Sequence, residues 1–201
     1  MTYFCSPNFL VMKITRSVIV ALVLLILVSA LYRIMPRPEP GGFAPQYAMA
    51  IFGGALFIKN KKWAFVLPLL SMFLSDLLYQ VLYNSGFSST QGFYGGQWQN
   101  YLLIGGLTCI GFLVKKINVV NVLLASIAAP SVYFLLSNFF VWIGGGGLQR
   151  PKTFGGLIQC YNDALPFYPN SVYATLFFSL ILFGGYYLVK KYFATAQQQI
   201  A

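Results

Sequence analysis

Six apolar stretches, separated by short segments rich in polar residues, glycine or proline, divide the chain. They lie at about residues 17–35, 44–58, 63–83, 98–114, 119–143 and 171–189. A helix needs about 20 apolar residues to cross a bilayer. The pattern therefore predicts an all-α membrane protein with a bundle of six transmembrane helices. No polar segment is long enough for a second domain, so residues 1–201 are predicted to form one transmembrane domain.

Composition supports lipid as the solvent. The 201 residues are 58% hydrophobic and 8% charged, whereas soluble domains carry about 25% charged residues. The net charge of +10 comes from basic residues grouped at the ends of the apolar stretches. Nucleic-acid binding needs a clustered basic face instead, so the charge indicates membrane orientation rather than a nucleic-acid partner.

Lysine and arginine predict that orientation. If the chain crosses six times, nine basic residues fall on one side: Lys13, Arg16, Lys59, Lys61, Lys62, Lys115, Lys116, Lys190 and Lys191. Four fall on the other side: Arg33, Arg37, Arg150 and Lys152. Because basic residues concentrate on the cytoplasmic side, both termini are predicted to be cytoplasmic.

The predicted outer face carries three long connections, at residues 36–45, 84–97 and 144–170. Long loops that are not linkers are usually functional. In residues 144–170, apolar side chains follow helical spacing at Phe154, Leu157, Ile158, Tyr161 and Leu165. This segment is expected to be either a lid over the outer mouth of the bundle or an interfacial helix anchored among lipid headgroups.

Catalysis and metal binding are not expected. The chain has no histidine, so it cannot build a Ser–His or Cys–His nucleophile. Its cysteines show no metal-ligand spacing. Its only acids are Glu39, Asp76 and Asp163. Two of them, Glu39 and Asp163, lie near basic residues and are expected to form ion pairs. The sequence therefore predicts no enzyme activity, no metal site and no cofactor.

Asp76 lies inside an apolar stretch, where an ionisable residue is costly and is a functional candidate by default. It could contact a ligand, pair with Arg33 or Arg37, or fix helix packing through neighbouring serines. Helical spacing places Gln80 and Tyr83 on its face, as a polar stripe leading outward.

A binding site remains the main possibility, since aromatic walls with a few fixed polar groups are typical of small-molecule pockets. The alternative for each aromatic residue is the belt that forms at membrane interfaces. The candidate ligand-binding residues are Asp76, Gln80, Tyr83, Trp98, Asn100, Asn138, Trp142 and Tyr161, and Tyr47 and Tyr79 could join the same lining.

Several motifs carry a family resemblance. They are Arg-Pro-Glu-Pro-Gly-Gly-Phe-Ala-Pro at 37–45, Pro-Leu-Leu-Ser at 68–71, Ser-Asp-Leu at 75–77, Ser-Asn-Phe at 137–139, Pro-Lys-Thr at 151–153, Cys-Tyr at 160–161 and Leu-Pro-Phe at 165–167. In this order they resemble an uncharacterised family of small bacterial integral membrane proteins assigned to transport. That family is similar to the S components of energy-coupling factor (ECF) transporters.

The resemblance implies a substrate-binding subunit in the bacterial cytoplasmic (inner) membrane, which takes up a small solute such as a vitamin or a related compound. It also implies a transmembrane coupling subunit and cytoplasmic ATPases as partners. The alternative is a non-catalytic accessory subunit of a larger membrane complex, with glycine-rich helix faces as docking surfaces.

Overall fold

The described part of the chain folds entirely as helices. The computed structural model describes residues 16–35 and 43–200, and side chains within 19–35 and 43–191. The helices are α1 (Arg16–Ile34), α2 (Gln46–Leu56), α3 (Lys61–Asn84), α4 (Gln97–Leu113), α5 (Val119–Gly144), α6 (Phe154–Ala164) and α7 (Tyr168–Ile200), with a 3-10 turn at Leu165–Phe167 between α6 and α7. No β-strand occurs within these two ranges.

Every predicted apolar stretch coincides with a helix. Predicted and observed ends agree to within three residues everywhere except at the end of α7, which continues to Ile200. Residues 194–199 are alanine, glutamine and one threonine, and the alanines and glutamines favour helix extension. The described residues do not include Lys13, Arg37 or Glu39. Of the motif at 37–45 they include only residues 43–45.

Local sequence explains several helix ends. The Asn118 side chain accepts a hydrogen bond from the backbone N–H of Asn121 at 2.8 Å and so caps α5. Thr153 caps α6 in the same way, with Gly156 N–H at 3.1 Å. Such caps satisfy N–H groups that have no partner inside the helix. Gly145 follows α5 with φ of 74°, a left-handed conformation that glycine adopts without strain.

The short helix α2 occupies the centre of the bundle and packs against α3, α4, α5 and α7. Its glycines permit close backbone contact. A Cβ atom on Gly54 would lie 2.3 Å from the Thr108 carbonyl oxygen and 2.8 Å from the Cα of Gly111. Gly105 and Gly106 on α4 would have none of the described atoms within 4 Å of such a Cβ. The α2–α4 contact therefore uses Gly54 and Gly111, and no described residue covers the Gly105–Gly106 face at that distance.

Within the described residues, three helical segments are long and apolar enough to cross a membrane: Lys61–Asn84, Val119–Gly144 and the continuous run Phe154–Lys191. They indicate a membrane protein. By contrast, α2 has 11 residues, so at 1.5 Å per residue it is roughly 16 Å long, about half of a bilayer core. It is surrounded by protein rather than exposed to lipid, which is why its length does not need to match the bilayer. Six crossings thus remain a prediction.

Candidate functional site

The structure joins Asp76, which is buried, to Arg33, whose side chain is 25% exposed, in an ion pair. Asp76 is 1% exposed, and its Oδ1 atom contacts the Arg33 guanidinium. Its Oδ2 atom accepts hydrogen bonds from the Gln97 amide and, at 2.6 Å, from the Tyr101 hydroxyl. Both carboxylate oxygens are therefore occupied, and we call this arrangement the ion pair.

Arg33 is fixed by further contacts with α3. Its Nη1 atom donates to the Ser75 hydroxyl at 2.6 Å and to the Met72 carbonyl at 3.4 Å. The guanidinium lies 5.8 Å from the ring centre of Tyr79, whose hydroxyl donates to the Arg33 carbonyl at 2.7 Å. The ion pair thus connects α1, α3 and α4. Arg37, the other predicted partner of Asp76, lies outside the described residues.

Gln80, one turn beyond Asp76, holds the connection between α3 and α4. Its side-chain oxygen accepts from Phe93 N–H at 3.0 Å, and its amide donates to Asn84 at 2.9 Å. A Cβ on Gly92 would lie 1.9 Å from the Asp76 carbonyl oxygen and 2.5 Å from the Gln80 nitrogen. The connection therefore packs directly on the α3 backbone beside the ion pair, and only glycine fits at position 92.

Asn100 joins the same connection to α5. Its amide donates to the Tyr94 hydroxyl at 2.6 Å, and its oxygen accepts from the Tyr133 hydroxyl at 2.9 Å. The Tyr133 ring packs on Tyr47 of α2, with ring centres 4.6 Å apart. The predicted residues Asn100 and Tyr47 thus meet through a tyrosine that the sequence analysis did not single out.

A cavity of about 310 Å³ lies between α2, α5, the 3-10 turn and α7, and is called here the cavity. Aromatic rings supply much of its wall, with amide and hydroxyl groups between them. None of the described residues that line it is Lys, Arg, Asp or Glu. The lining residues are Tyr47, Pro130, Tyr133, Phe134, Ser137, Asn138, Ala164, Phe167, Tyr168 and Ser171.

Asn138 is the predicted ligand-binding amide that the structure places in this wall. Its side-chain nitrogen donates to the Phe134 carbonyl at 2.8 Å. A carboxamide has two N–H donors and an acceptor oxygen, so this bond leaves one N–H and the oxygen for other partners. Tyr168 adds a hydroxyl, which shares a hydrogen bond of 2.7 Å with Ser131.

The remaining predicted residues lie elsewhere. Tyr83 and Trp98 are exposed, Trp98 by 65%. The Trp142 ring nitrogen donates to the Pro151 carbonyl at 2.8 Å, which holds the end of the segment between α5 and α6. Tyr161 packs behind the cavity wall, since its hydroxyl donates to the Leu135 carbonyl at 2.9 Å. None of these four lines the cavity.

The predicted outer segment is helix α6, which lies alongside the end of α5. The cavity wall includes Ala164 from the end of this helix and Phe167 from the following turn. Arg150 and Asp163 form a two-point ion pair at 2.8 and 2.9 Å, as expected for Asp163. Hydrogen bonding from Arg150 lowers the pKa of the Asp163 carboxyl below its usual value.

Residues that the sequence analysis missed include Gln97 and Tyr101 at the ion pair, Tyr94 next to them, and Tyr133 and Tyr168 at the cavity. A usable signal was present for the first two, because their spacing of four residues places them on one face of a helix. Buried side chains without a partner were missed as well. Within the part of the chain that the structure describes, neither polar atom of the Gln46 amide has a hydrogen-bond partner, and the Ser71 hydroxyl has none either.

In its described residues the protein is all-helical, and it combines membrane-length helices with the Arg33–Asp76 ion pair and an aromatic cavity. The chain belongs to the family described as "Family of unknown function (DUF6580)", whose model matches residues 13–198. No curated protein and no solved structure matches the chain. The family carries no assigned substrate, so the similarity to S components stays a prediction.

Proposed function

We propose that this protein binds a small organic solute as the substrate-binding subunit of a membrane transporter similar to the S components of ECF transporters. The observation that carries the proposal is the cavity. Its volume of about 310 Å³ is near the lower end of the roughly 300–1,000 Å³ that small-molecule sites occupy. Aromatic walls with a few polar groups are the usual composition of such sites.

The lining favours an uncharged ring compound. Tyr133, Phe134 and Tyr168 offer ring faces, and Asn138 offers a donor and an acceptor. A charged ligand would enter a low-dielectric site without a counter-charge, and that is strongly unfavourable. The charges of Arg33 and Asp76 in the ion pair neutralise each other.

The proposal includes the topology predicted from the sequence. The chain crosses the bacterial inner membrane six times, with both termini in the cytoplasm and the cavity open to the outer side. The grouped basic residues at the helix ends support this orientation. The protein binds rather than transforms its ligand, so transport needs a coupling subunit and cytoplasmic ATPases that favour one of its states.

The test is equilibrium binding to purified protein, with neutral and charged ring compounds of the same size, such as nicotinamide and nicotinate. We expect the neutral member of each pair to bind more tightly. Replacing Asn138 with leucine should weaken binding about tenfold or more, because a ligand group loses its hydrogen-bond partner. Trp98→Phe is the control, since Trp98 is 65% exposed and does not line the cavity.

If no saturable binding is found across vitamins, their precursors and metal ions, the proposal is wrong. Equal effects of the Asn138 and Trp98 substitutions would place the ligand outside the cavity.

A second candidate is a ligand-free accessory subunit of a larger membrane complex. The observation that favours it is the pair of uncovered glycine faces at Gly105–Gly106 on α4 and Gly184–Gly185 on α7, where an added Cβ would meet no atom within 4 Å. Close helix approach in lipid uses such residues. Stable co-purification with respiratory or secretion subunits, without ATPases, would favour this candidate.

A further inference from the structure

Two pairs of hydrogen bonds, which share the residue Tyr94, lead from the cavity wall to the ion pair. Tyr133, which lines the cavity, donates to the Asn100 oxygen at 2.9 Å, and the Asn100 amide donates to the Tyr94 hydroxyl at 2.6 Å. The Tyr94 backbone N–H donates to the Gln97 oxygen at 3.3 Å, and the Gln97 amide donates to the Asp76 carboxylate. These residues are called here the hydrogen-bond chain.

Every donor in this chain points from the cavity toward the carboxylate. An ionised carboxylate only accepts hydrogen bonds, so its charge fixes the orientation of the Gln97 amide. That amide in turn presents its oxygen to Tyr94. Tyr94 accepts through its hydroxyl from Asn100 and donates through its backbone N–H to Gln97. The position of Tyr94 therefore links the bonds that orient Tyr133 to the bonds that surround the Asp76 carboxylate.

The chain also crosses four structural elements. It runs from α5 through α4 and the α3–α4 connection to α3, and the ion pair extends it to α1. Gly92 packs against the α3 backbone in the same region, so the connection that carries Tyr94 has little room to shift alone. A displacement at one end of the hydrogen-bond chain therefore displaces the hydrogen-bonded groups that follow it.

We propose that the cavity wall at Tyr133 and the Arg33–Asp76 ion pair are energetically coupled through Asn100, Tyr94 and Gln97. These three act as positioning residues. Because coupling between two sites is reciprocal, loss of the Tyr133 hydroxyl weakens the ion pair, and loss of the ion pair loosens the cavity wall. The inference does not rest on the proposed function, because it concerns the protein without a ligand.

The experiment is a double-mutant cycle on the purified protein in detergent, followed by thermal unfolding. The test pair is Tyr133→Phe with Asp76→Asn. The matched control is Tyr168→Phe with Asp76→Asn, because Tyr168 lines the same cavity and also loses one hydroxyl hydrogen bond, to Ser131. Tyr168 has no place in the hydrogen-bond chain.

For the test pair, the fall in Tm of the double variant should be smaller than the sum of the single effects by about 2 °C or more, the scale of coupling within one network. The control pair should be additive. An Asn100→Leu background should abolish the difference between the pairs. Additivity in the test pair, or equal non-additivity in both pairs, would overturn the proposal.

Hydrogen exchange supplies a second measurement that does not need the Asp76 variant to fold. The backbone N–H of Tyr94 is a member of the hydrogen-bond chain. Tyr133→Phe should speed its exchange about threefold or more, the scale of one weakened hydrogen bond, whereas Tyr168→Phe should leave it unchanged. Equal exchange of Tyr94 in the two variants would contradict the coupling.

Discussion

Removing the charge of Asp76 should destabilise the protein far more than removing the charge of a surface acid. Asp76→Asn keeps the shape of the side chain but removes the negative charge that faces the Arg33 guanidinium. It also turns one acceptor into an N–H donor that faces a donor from Arg33, Gln97 or Tyr101. Breaking a buried ion pair by changing one partner costs about 3–5 kcal/mol.

The assay is thermal unfolding in detergent at constant pH and salt. For chains of this length, 1 kcal/mol lowers Tm by about 2–4 °C, so we expect Asp76→Asn to lower Tm by about 6 °C or more. Asp163→Asn is the matched control. It removes the acid of the exposed Arg150–Asp163 pair, and exposed pairs contribute little to stability, so its Tm should stay close to that of the wild type.

A variant that changes both Arg33 and Asp76 separates the effect of their charges on stability from the effect of their packing. Replacing Arg33 with methionine and Asp76 with leucine removes both charges, and apolar replacement of a whole buried pair is often neutral or stabilising. The double variant should therefore be more stable than Asp76→Asn alone. A Tm of Asp76→Asn within about 2 °C of the wild type would refute the reasoning, because burial and the contacts of Asp76 with Arg33, Gln97 and Tyr101 would then contribute nothing measurable.

Three further predictions concern packing, an unpartnered amide and the outer ion pair. Gly54→Ala should destabilise by about 1–3 kcal/mol, the cost of overpacking, with Gly105→Ala neutral in the same unfolding assay; equal effects would contradict the close α2–α4 contact. Gln46→Leu should keep or raise Tm, since it removes a buried amide that is without a partner; a fall of several degrees would show that the amide is satisfied. The pKa of Asp163 is lowered in the folded protein, so the stability that its ion pair with Arg150 contributes is present above the unfolded carboxyl pKa. That contribution is lost as pH falls through the folded pKa. The fluorescence of Trp142, which lies near this ion pair, should change over that acidic range in the wild type and not in Asp163→Asn, and an unchanged wild-type signal would contradict the role of the ion pair.

The helices could be predicted because the apolar stretches are more hydrophobic than the segments of a soluble protein usually are. In addition, capping residues such as Asn118 and Thr153 lie where the polar segments end. The pairing of Asp76 with Arg33 or Arg37 could also be predicted. Asp76 is one of three acids in the chain, and an ionisable residue at membrane depth needs a partner. The structure joins it to Arg33.

The other contacts of the site depend on how separate helices pack. Gln97 and Tyr101 reach Asp76 across 21 and 25 residues of sequence, and no local pattern specifies that α4 presents this face to α3. The cavity was harder still to predict. Tyr168 resembles any aromatic residue near a helix end, which is typical of an interfacial belt, and Tyr133 lies in the middle of an apolar stretch without a polar pattern around it. Only the arrangement of α2, α5 and α7 distinguishes a cavity wall from that belt.

The most direct test of the proposed function is an experimental density map of the protein extracted from its own membrane. The account predicts an uncharged ring compound in the cavity, packed on Tyr133 and hydrogen-bonded to Asn138. A lipid acyl chain in that position, or side chains that close the cavity in every preparation, would contradict it.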